Sequence, residues 1–595
     1  MAEQTASGLK RTRGIGLLDA IALGPSIGAA LFSVGIHLLM LTGFGLRASV
    51  FAMGPLCALI GFGYCRANGV AFSKLRLRRL SGAELCIFGF LLVMFVALWD
   101  RAALRSLSIP HISGVDPAHH GALVTYLVRD DRLPRFDPRL AGLSNYPVGA
   151  HLVAASLSRI FSITPLSALW ITALGGCALA MVLVVWTTRQ MSSKKSWATV
   201  GVSVTVWLVG WRLGIGLVTA DFFFAQTVSL AFVVAGVGVC VAGARSRRLR
   251  SWLPVAILFA VAAAWAYPQQ GLVVPLSILV ATSPGSWAVS NASFWRRRRV
   301  QVGCGAVAVL AGIAIFRAVR NSPYLSAQAI TGVGEGAAIS LSVRTFGGLA
   351  SVILTLYAIV ELAVGAVRGN RPARVLIAAL VVPAGTALAL ALLRISWIAG
   401  LPVTRYRIVK NVYTAFPFLA IGCGFAIETG VESTRSTFRR IRASRRRIST
   451  PTSLDSSRRR FDAVVLVFSM IAALAFVVRP QHLATVTAPL VDRGEYELSI
   501  DAATAYPPDE VGIVGDELGP YVLWWMGLRR TIPPEVSLYP EVPRMSRWAT
   551  WPDDSPERYL LVDAVNAASF SSRPGVVVLA QRRGAVLLTK STPEQ

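Results

Sequence analysis

A chain of 595 residues that is 54% hydrophobic and only 15% charged, with a mean hydropathy of +0.58, is too apolar for a soluble globular protein. Its formal net charge is +29, but the basic residues form short clusters between apolar stretches, which points away from a nucleic-acid partner and toward loops kept in the cytoplasm. The seven cysteines all lie in or beside apolar stretches without paired metal-ligand spacing, so neither a disulfide framework nor a cysteine metal site is expected.

Taken in chain order, apolar stretches of membrane-crossing length recur near 16–42, 49–72, 83–99, 164–187, 197–218, 222–243, 252–266, 268–283, 302–318, 346–367, 374–393, 411–428 and 461–478. Each is near the roughly 20 residues that a helix needs to cross a hydrocarbon core of about 30 Å. The sequence therefore predicts a polytopic α-helical membrane protein with about thirteen transmembrane helices. The 252–283 pair is interrupted by "AYPQQ". With the N-terminus in the cytoplasm, the clusters "SKLRLRR" (73–79), "TTRQMSSKK" (187–195), "ARSRRLR" (244–250), "WRRRR" (295–299), "RGNRPAR" (368–374) and the Arg-rich 435–460 all fall inside, as the positive-inside rule requires. Only six of the 59 basic residues are lysine, an arginine bias that suggests GC-rich bacterial coding and hence a bacterial cytoplasmic membrane.

The odd number of crossings puts the C-terminal segment outside. Residues 1–478 make a transmembrane domain, and 479–595, which hold 15 of the 30 acidic residues, make a separate soluble domain. There "EVGIVG" (510–515), "RYLLVDA" (558–564) and "GVVVLAQRRGAVLLTK" (575–590) read as strands, the last as a β-hairpin turning at "RRG". A small extracytoplasmic α/β domain is expected.

The first outer loop, 100–145, is far longer than joining two helices requires. Four of the six histidines (His111, His119, His120 and His151) lie between 111 and 151. Asp116 suits a general base toward a sugar hydroxyl; followed by Pro117, it also reads as the N-cap of the helix "PAHHGALVTYLVRDD". His119 and His120 can reach a shared ion or a substrate phosphate, whereas Asp130 and Asp131 read as solvating the helix end. "SNYPVGAHLVAASLSRI" (144–160) reads as an amphipathic helix along the interface, with Tyr146 and His151 near its start. Asp221, in the second outer loop "TADFFFAQ", is an ionisable group between two apolar helices, and Tyr267 and Gln269 sit in the break "WAYPQQG", where polar groups would line a cavity. The one basic cluster on the outer side is "RISWIAGLPVTRYRIVKN" (394–411). Its Arg394, Arg405, Arg407 and Lys410 suit a bound phosphate or anionic lipid headgroups, with Trp397 and Tyr406 close by in sequence.

These features in this order resemble the GT-C superfamily of polytopic membrane glycosyltransferases: an acid in a long first outer loop, then "YPVGAH" (146–151), an Asp in the next outer loop, and the late "YRIVK" (406–410). The resemblance covers residues 83–430. It implies a polyprenyl-phosphate sugar donor, with Asp116 as catalytic base and Asp100 as the fallback. Two helices precede the loop-bearing helix here, against one in many members, and "PAHH" follows Asp116 where a second carboxylate is common. The implied activity is inverting transfer of the sugar to a cell-envelope glycan or lipid acceptor at the outer face, with membrane lipids as further partners. The expectation includes no certain cofactor and leaves a divalent cation open. The alternatives are a non-catalytic carrier or flippase for lipid-linked glycans, and a scaffold whose outer domain binds envelope partners.

Overall fold

A computed structural model describes residues 17–67, 89, 109–110, 116–134, 146–192, 197–210, 213, 223–245, 249–283, 348–396, 405–445, 489–491, 493–507, 510–514 and 558–591. Ten of the thirteen expected crossings coincide with helices. These are α1 (Leu17–Leu41), α2 (Leu46–Ala67), α5 (Pro165–Met191), α6 (Trp197–Val209), α7 (Phe224–Arg245), α8 (Leu249–Ala266), α9 (Val273–Thr282), α10 (Leu349–Val367), α11 (Arg371–Ser396) and α12 (Arg405–Arg445). Of the other three, 302–318 and 461–478 lie outside the described residues, and of 83–99 only residue 89 is described. Of the ten, seven are long and apolar enough to cross a membrane; α6, α8 and α9 are shorter apolar helices. Two further helices, α3 (Asp116–Asp130) and α4 (Gly149–Phe161), come from the first loop and the segment after it.

The helix α7 is apolar all round and buried along nearly its whole length, as a helix at the centre of a bundle must be. Its glycines let neighbours approach closely. A Cβ at Gly238 would lie 2.5 Å from the Trp186 ring of α5, and one at Gly243 would lie 2.3 Å from the Trp252 ring of α8. On α10 the opposite holds: Leu349, Ile353, Leu356 and Val360 are exposed on a helix with little polar surface, the face that a bilayer would cover. The 41 residues of α12 span about 60 Å, twice a bilayer core, so only its Ile408–Val431 part is a candidate crossing.

The end of α3 closes onto the start of α2. Asp131, at φ 55, accepts from the Arg47 N–H through Oδ1 at 2.8 Å, and its backbone carbonyl accepts from the Leu46 N–H at 3.2 Å. The carboxylate expected to solvate its own helix therefore caps another one. Gly45 is required for this approach, because a Cβ there would stand 2.1 Å from Asp131 Oδ2. Gly45→Ala is expected to displace the cap and destabilise the protein by about 0.5–2 kcal/mol, read as a lowered midpoint in detergent unfolding.

At 13 residues, α4 reaches only about 20 Å and is too short to cross. It buries Gly149, Ala150, His151, Leu152, Ala154 and Ala155 and leaves Ile160 and Phe161 exposed, the amphipathic helix that its sequence predicts.

The C-terminal residues form a four-stranded sheet in the order β3 (Val511–Val514), β4 (Tyr559–Asp563), β6 (Ala585–Lys590), β5 (Val576–Arg582). The first pair is parallel and the others antiparallel. The predicted hairpin is β5–β6, with Gly584 at φ 90 in its turn. Alternation along β4 sends Leu560 and Val562 into one small core with Phe570 of α14 (Ala564–Ser571). Leu561 goes to the opposite face with Leu498 and Ala502 of α13 (Arg493–Ala505), as the two-residue period of a strand dictates. A short antiparallel pair, β1 (Ile109–Pro110) with β2 (Pro489–Val491), joins the first loop to the start of this C-terminal part.

Candidate functional site

At one end of the bundle, residues from five separate segments meet around two phenylalanines that precede and open α7. Phe224 is the first residue of the helix and is fully buried. Its ring centroid lies 5.2 Å from those of both His120 and His151. The two imidazoles are hydrogen-bonded to each other, His120 Nδ1 to His151 Nε2 at 2.9 Å, and both are buried. Tyr146 packs edge-on against each, 5.5 Å from both centroids. The two imidazoles thus tie α3 to α4.

One ring nitrogen of such a pair donates and the other accepts, so the bond needs at least one neutral ring to supply the acceptor. Burial pushes the His151 imidazole down from 6.5 to about 3, against a smaller opposing pull from the backbone of Pro147. The folded protein therefore binds fewer protons than the unfolded chain across that interval, and stability rises with pH. The His151 contribution is complete above pH 6.5 and is lost as pH falls toward 3. Thermal midpoints measured from pH 7.5 downward should drop in wild type more steeply than in His151→Gln, which has nothing to titrate at that position.

Phe223 faces the other way. Lys410, in the second turn of α12, holds its Nζ 4.8 Å from the Phe223 centroid and 5.7 Å from that of Tyr267, within cation–π range of both. Its backbone is fixed by two donors: Gln226 Nε2 at 2.9 Å and Thr414 Oγ1 at 3.1 Å reach the Lys410 carbonyl. Thr414 Oγ1 in turn accepts from Gln270 Nε2 at 2.9 Å. Since those amide nitrogens are committed, the Oε1 atoms of Gln226 and Gln270 are buried acceptors with no partner among the described residues.

The break predicted at "AYPQQ" is real: α8 ends at Ala266, Tyr267 is extended, and a single 3-10 turn covers Pro268–Gln270 before α9. Tyr267 and Gln269 bond each other, the Tyr267 OH to Gln269 Oε1 at 3.0 Å. Gln269 is exposed, and its neighbour Gln270 ties the break to α12. The break is also held against α4. A Cβ at Gly149, in "YPVGAH", would lie 2.8 Å from the Trp265 carbonyl carbon, and Ser33 Oγ of α1 donates to the Gly149 carbonyl at 3.0 Å.

Asp116 is the first residue of α3, one turn before His120, with His119 between them in that turn. Arg405 and Arg407 open α12, and Arg394 lies in the last turn of α11. Asp221, Asp100 and Trp397 lie outside the described residues. The sequence reading missed Phe223, Phe224, Gln226, Gln270 and Thr414. The signal available for the polar three was a side chain with hydrogen-bonding capacity inside an apolar run. Among the described residues, no group of three or more His, Cys, Asp or Glu is placed to hold a metal ion.

No protein-family model and no curated protein matches the sequence. Among solved structures, the chain is similar to ArnT from Cupriavidus metallidurans bound to undecaprenyl phosphate, at 14% identity and a TM-score of 0.47, over 84% of this chain and 99% of that one. It is similar to the apo state of the same protein at 14% identity and a TM-score of 0.48, over 86% and 100%. It is also similar to an Archaeoglobus fulgidus oligosaccharyltransferase in complex with zinc and sulfate, at 12% identity and a TM-score of 0.42, over 80% and 68%.

Proposed function

We propose that the protein is an inverting glycosyltransferase of the outer face of a bacterial cytoplasmic membrane, moving a sugar from a polyprenyl-phosphate donor to an envelope glycan or lipid acceptor. The observation that carries this reading is the placement of Lys410 against Phe223 and Tyr267. Arg405, Arg407 and Lys410 crowd the first two turns of α12, and its first turn holds no acid. A helix N-terminus favours negative charge, and a phosphate bound there would meet these cations and the first-turn backbone N–H groups together. The rings of Tyr267 and Phe223 offer flat apolar surface to a sugar. The unpartnered Gln226 and Gln270 oxygens are acceptors that a hydroxyl-bearing ligand would satisfy.

In the reaction, the acceptor hydroxyl attacks the anomeric carbon while Asp116 takes its proton. The bond from that carbon to the phosphate oxygen breaks, and the polyprenyl phosphate leaves carrying the new charge. Lys410, Arg405 and Arg407 stabilise that charge as it forms, with Arg394 at the nearby helix end as a further cation.

Binding of undecaprenyl phosphate and of undecaprenol to the protein in nanodiscs tests the site. The phosphate is expected to strengthen binding by at least tenfold, roughly the 1.4 kcal/mol expected of one charge-assisted contact. Equal affinities would remove the phosphate site and with it the reading.

A further inference from the structure

We infer that His120 and His151 are a positioning pair, whose imidazole–imidazole hydrogen bond locks the first turns of α3 and α4 together and so sets where Asp116 stands. This rests on the glycosyltransferase reading for the role of Asp116.

The bond joins two helices through residues that the sequence separates by 31 positions, and Arg159 of α4 also donates to the Val128 carbonyl toward the other end of α3. It is built for order: both rings are buried, and Tyr146 and Phe224 pack against each of them. A buried hydrogen bond inside an aromatic enclosure has few alternative geometries, because breaking it strands a donor and an acceptor away from water. His120 is four residues after Asp116, one helical turn, or about 6 Å along the axis. Any rotation or slide of α3 that moved Asp116 would have to break this bond. The second anchor lies at the far end of the same helix, where Asp131 caps α2. With α3 pinned at both ends, its first turn has a fixed register against α4 and α7.

Burial disfavours a charge on His151. On α4 the next ionisable side chain is Arg159, two turns further on. On α5 they are Cys177 and Arg189, and α7 carries Cys240 before Arg245. His37 of α1 packs on Trp265, 4.6 Å between centroids, and Lys410 sits beyond Phe223. Within α3 itself, Asp116, His119, Tyr126, Arg129 and Asp130 complete the set.

The test uses full-length protein in nanodiscs, with wild type, His151→Phe and His151→Gln. Phenylalanine keeps a ring of similar size and abolishes the bond. Glutamine places an amide nitrogen near the Nε2 position and can still donate to His120. Sugar transfer and undecaprenyl-phosphate binding are both measured. In His151→Phe, kcat is expected to fall about 10–100-fold, the scale of a misplacement near 1 Å, with donor KM and undecaprenyl-phosphate affinity within threefold of wild type. In His151→Gln, kcat should return to within about threefold of wild type. Equal kcat in wild type and His151→Phe, or equal losses in the two variants, would overturn the positioning role alone. Absence of transfer by the wild type from every donor offered would overturn the glycosyltransferase reading, and the pair's role with it.

Discussion

Asp116→Asn is expected to lower sugar transfer by about 10²–10⁴-fold, the usual contribution of a positioned general base, while undecaprenyl-phosphate affinity stays within a few fold. Asparagine has nearly the shape of aspartate and also caps helices well. A loss of activity without a loss of thermal stability therefore separates proton abstraction from helix capping, the two roles that the sequence leaves open for this residue. A cap alone would give the reverse: a small change in midpoint on Asp116→Ala, almost none on Asp116→Asn, and no effect of Asn on rate. The comparison is made near neutral pH, well above the value of about 3 to which burial lowers His151.

The second large effect is at Lys410. Replacing it with methionine, which keeps the stem and removes the charge, is expected to weaken undecaprenyl phosphate about 10–100-fold, from the roughly 1.5–3 kcal/mol typical of a hydrogen bond to a charged group. Stability should change little, because the cation–π contacts with Phe223 and Tyr267 are worth only about 0.5–1 kcal/mol each at partly exposed sites. The loss should shrink as ionic strength rises, since screening already weakens the wild-type attraction. Lys410→Arg should recover part of the affinity. Complete recovery is not expected, because the backbone of this residue is held by Gln226 and Thr414 and the longer planar fork starts from a fixed point. An unchanged affinity in Lys410→Met would show that the phosphate is held elsewhere.

What the sequence made legible follows from which forces are local. Helix existence came from apolar length alone, and ten expected crossings coincide with α1, α2 and α5–α12. The strands of the C-terminal sheet and the Arg583–Gly584 turn were readable because alternation and turn chemistry are properties of a few consecutive residues. The break at Tyr267–Gln270 was readable for the same reason, since a Pro followed at once by two polar side chains and a Gly weakens an apolar helix at one point.

Pairing was not legible. The bond between His120 and His151 and the capping of α2 by Asp131 join residues far apart in the chain, and no periodicity encodes them. The choice between Gln269 and Gln270 illustrates the limit most sharply. Both stand in the same break, and only the sense of the 3-10 turn sends Gln270 to Thr414 while Gln269 meets the Tyr267 hydroxyl. The cationic start of α12, by contrast, stood out in the sequence because, under the expected topology, it breaks the exclusion of basic clusters from the outer side.

The most direct test of the central claim is transfer by the wild-type protein in nanodiscs, supplied with a panel of radiolabelled polyprenyl-phosphate sugars and envelope glycan or lipid acceptors. The account expects label to appear on an acceptor, with the anomeric configuration inverted relative to the donor and polyprenyl phosphate released in equal amount. Tight donor binding with no labelled acceptor anywhere in the panel would contradict it and identify the protein as a carrier of lipid-linked sugars.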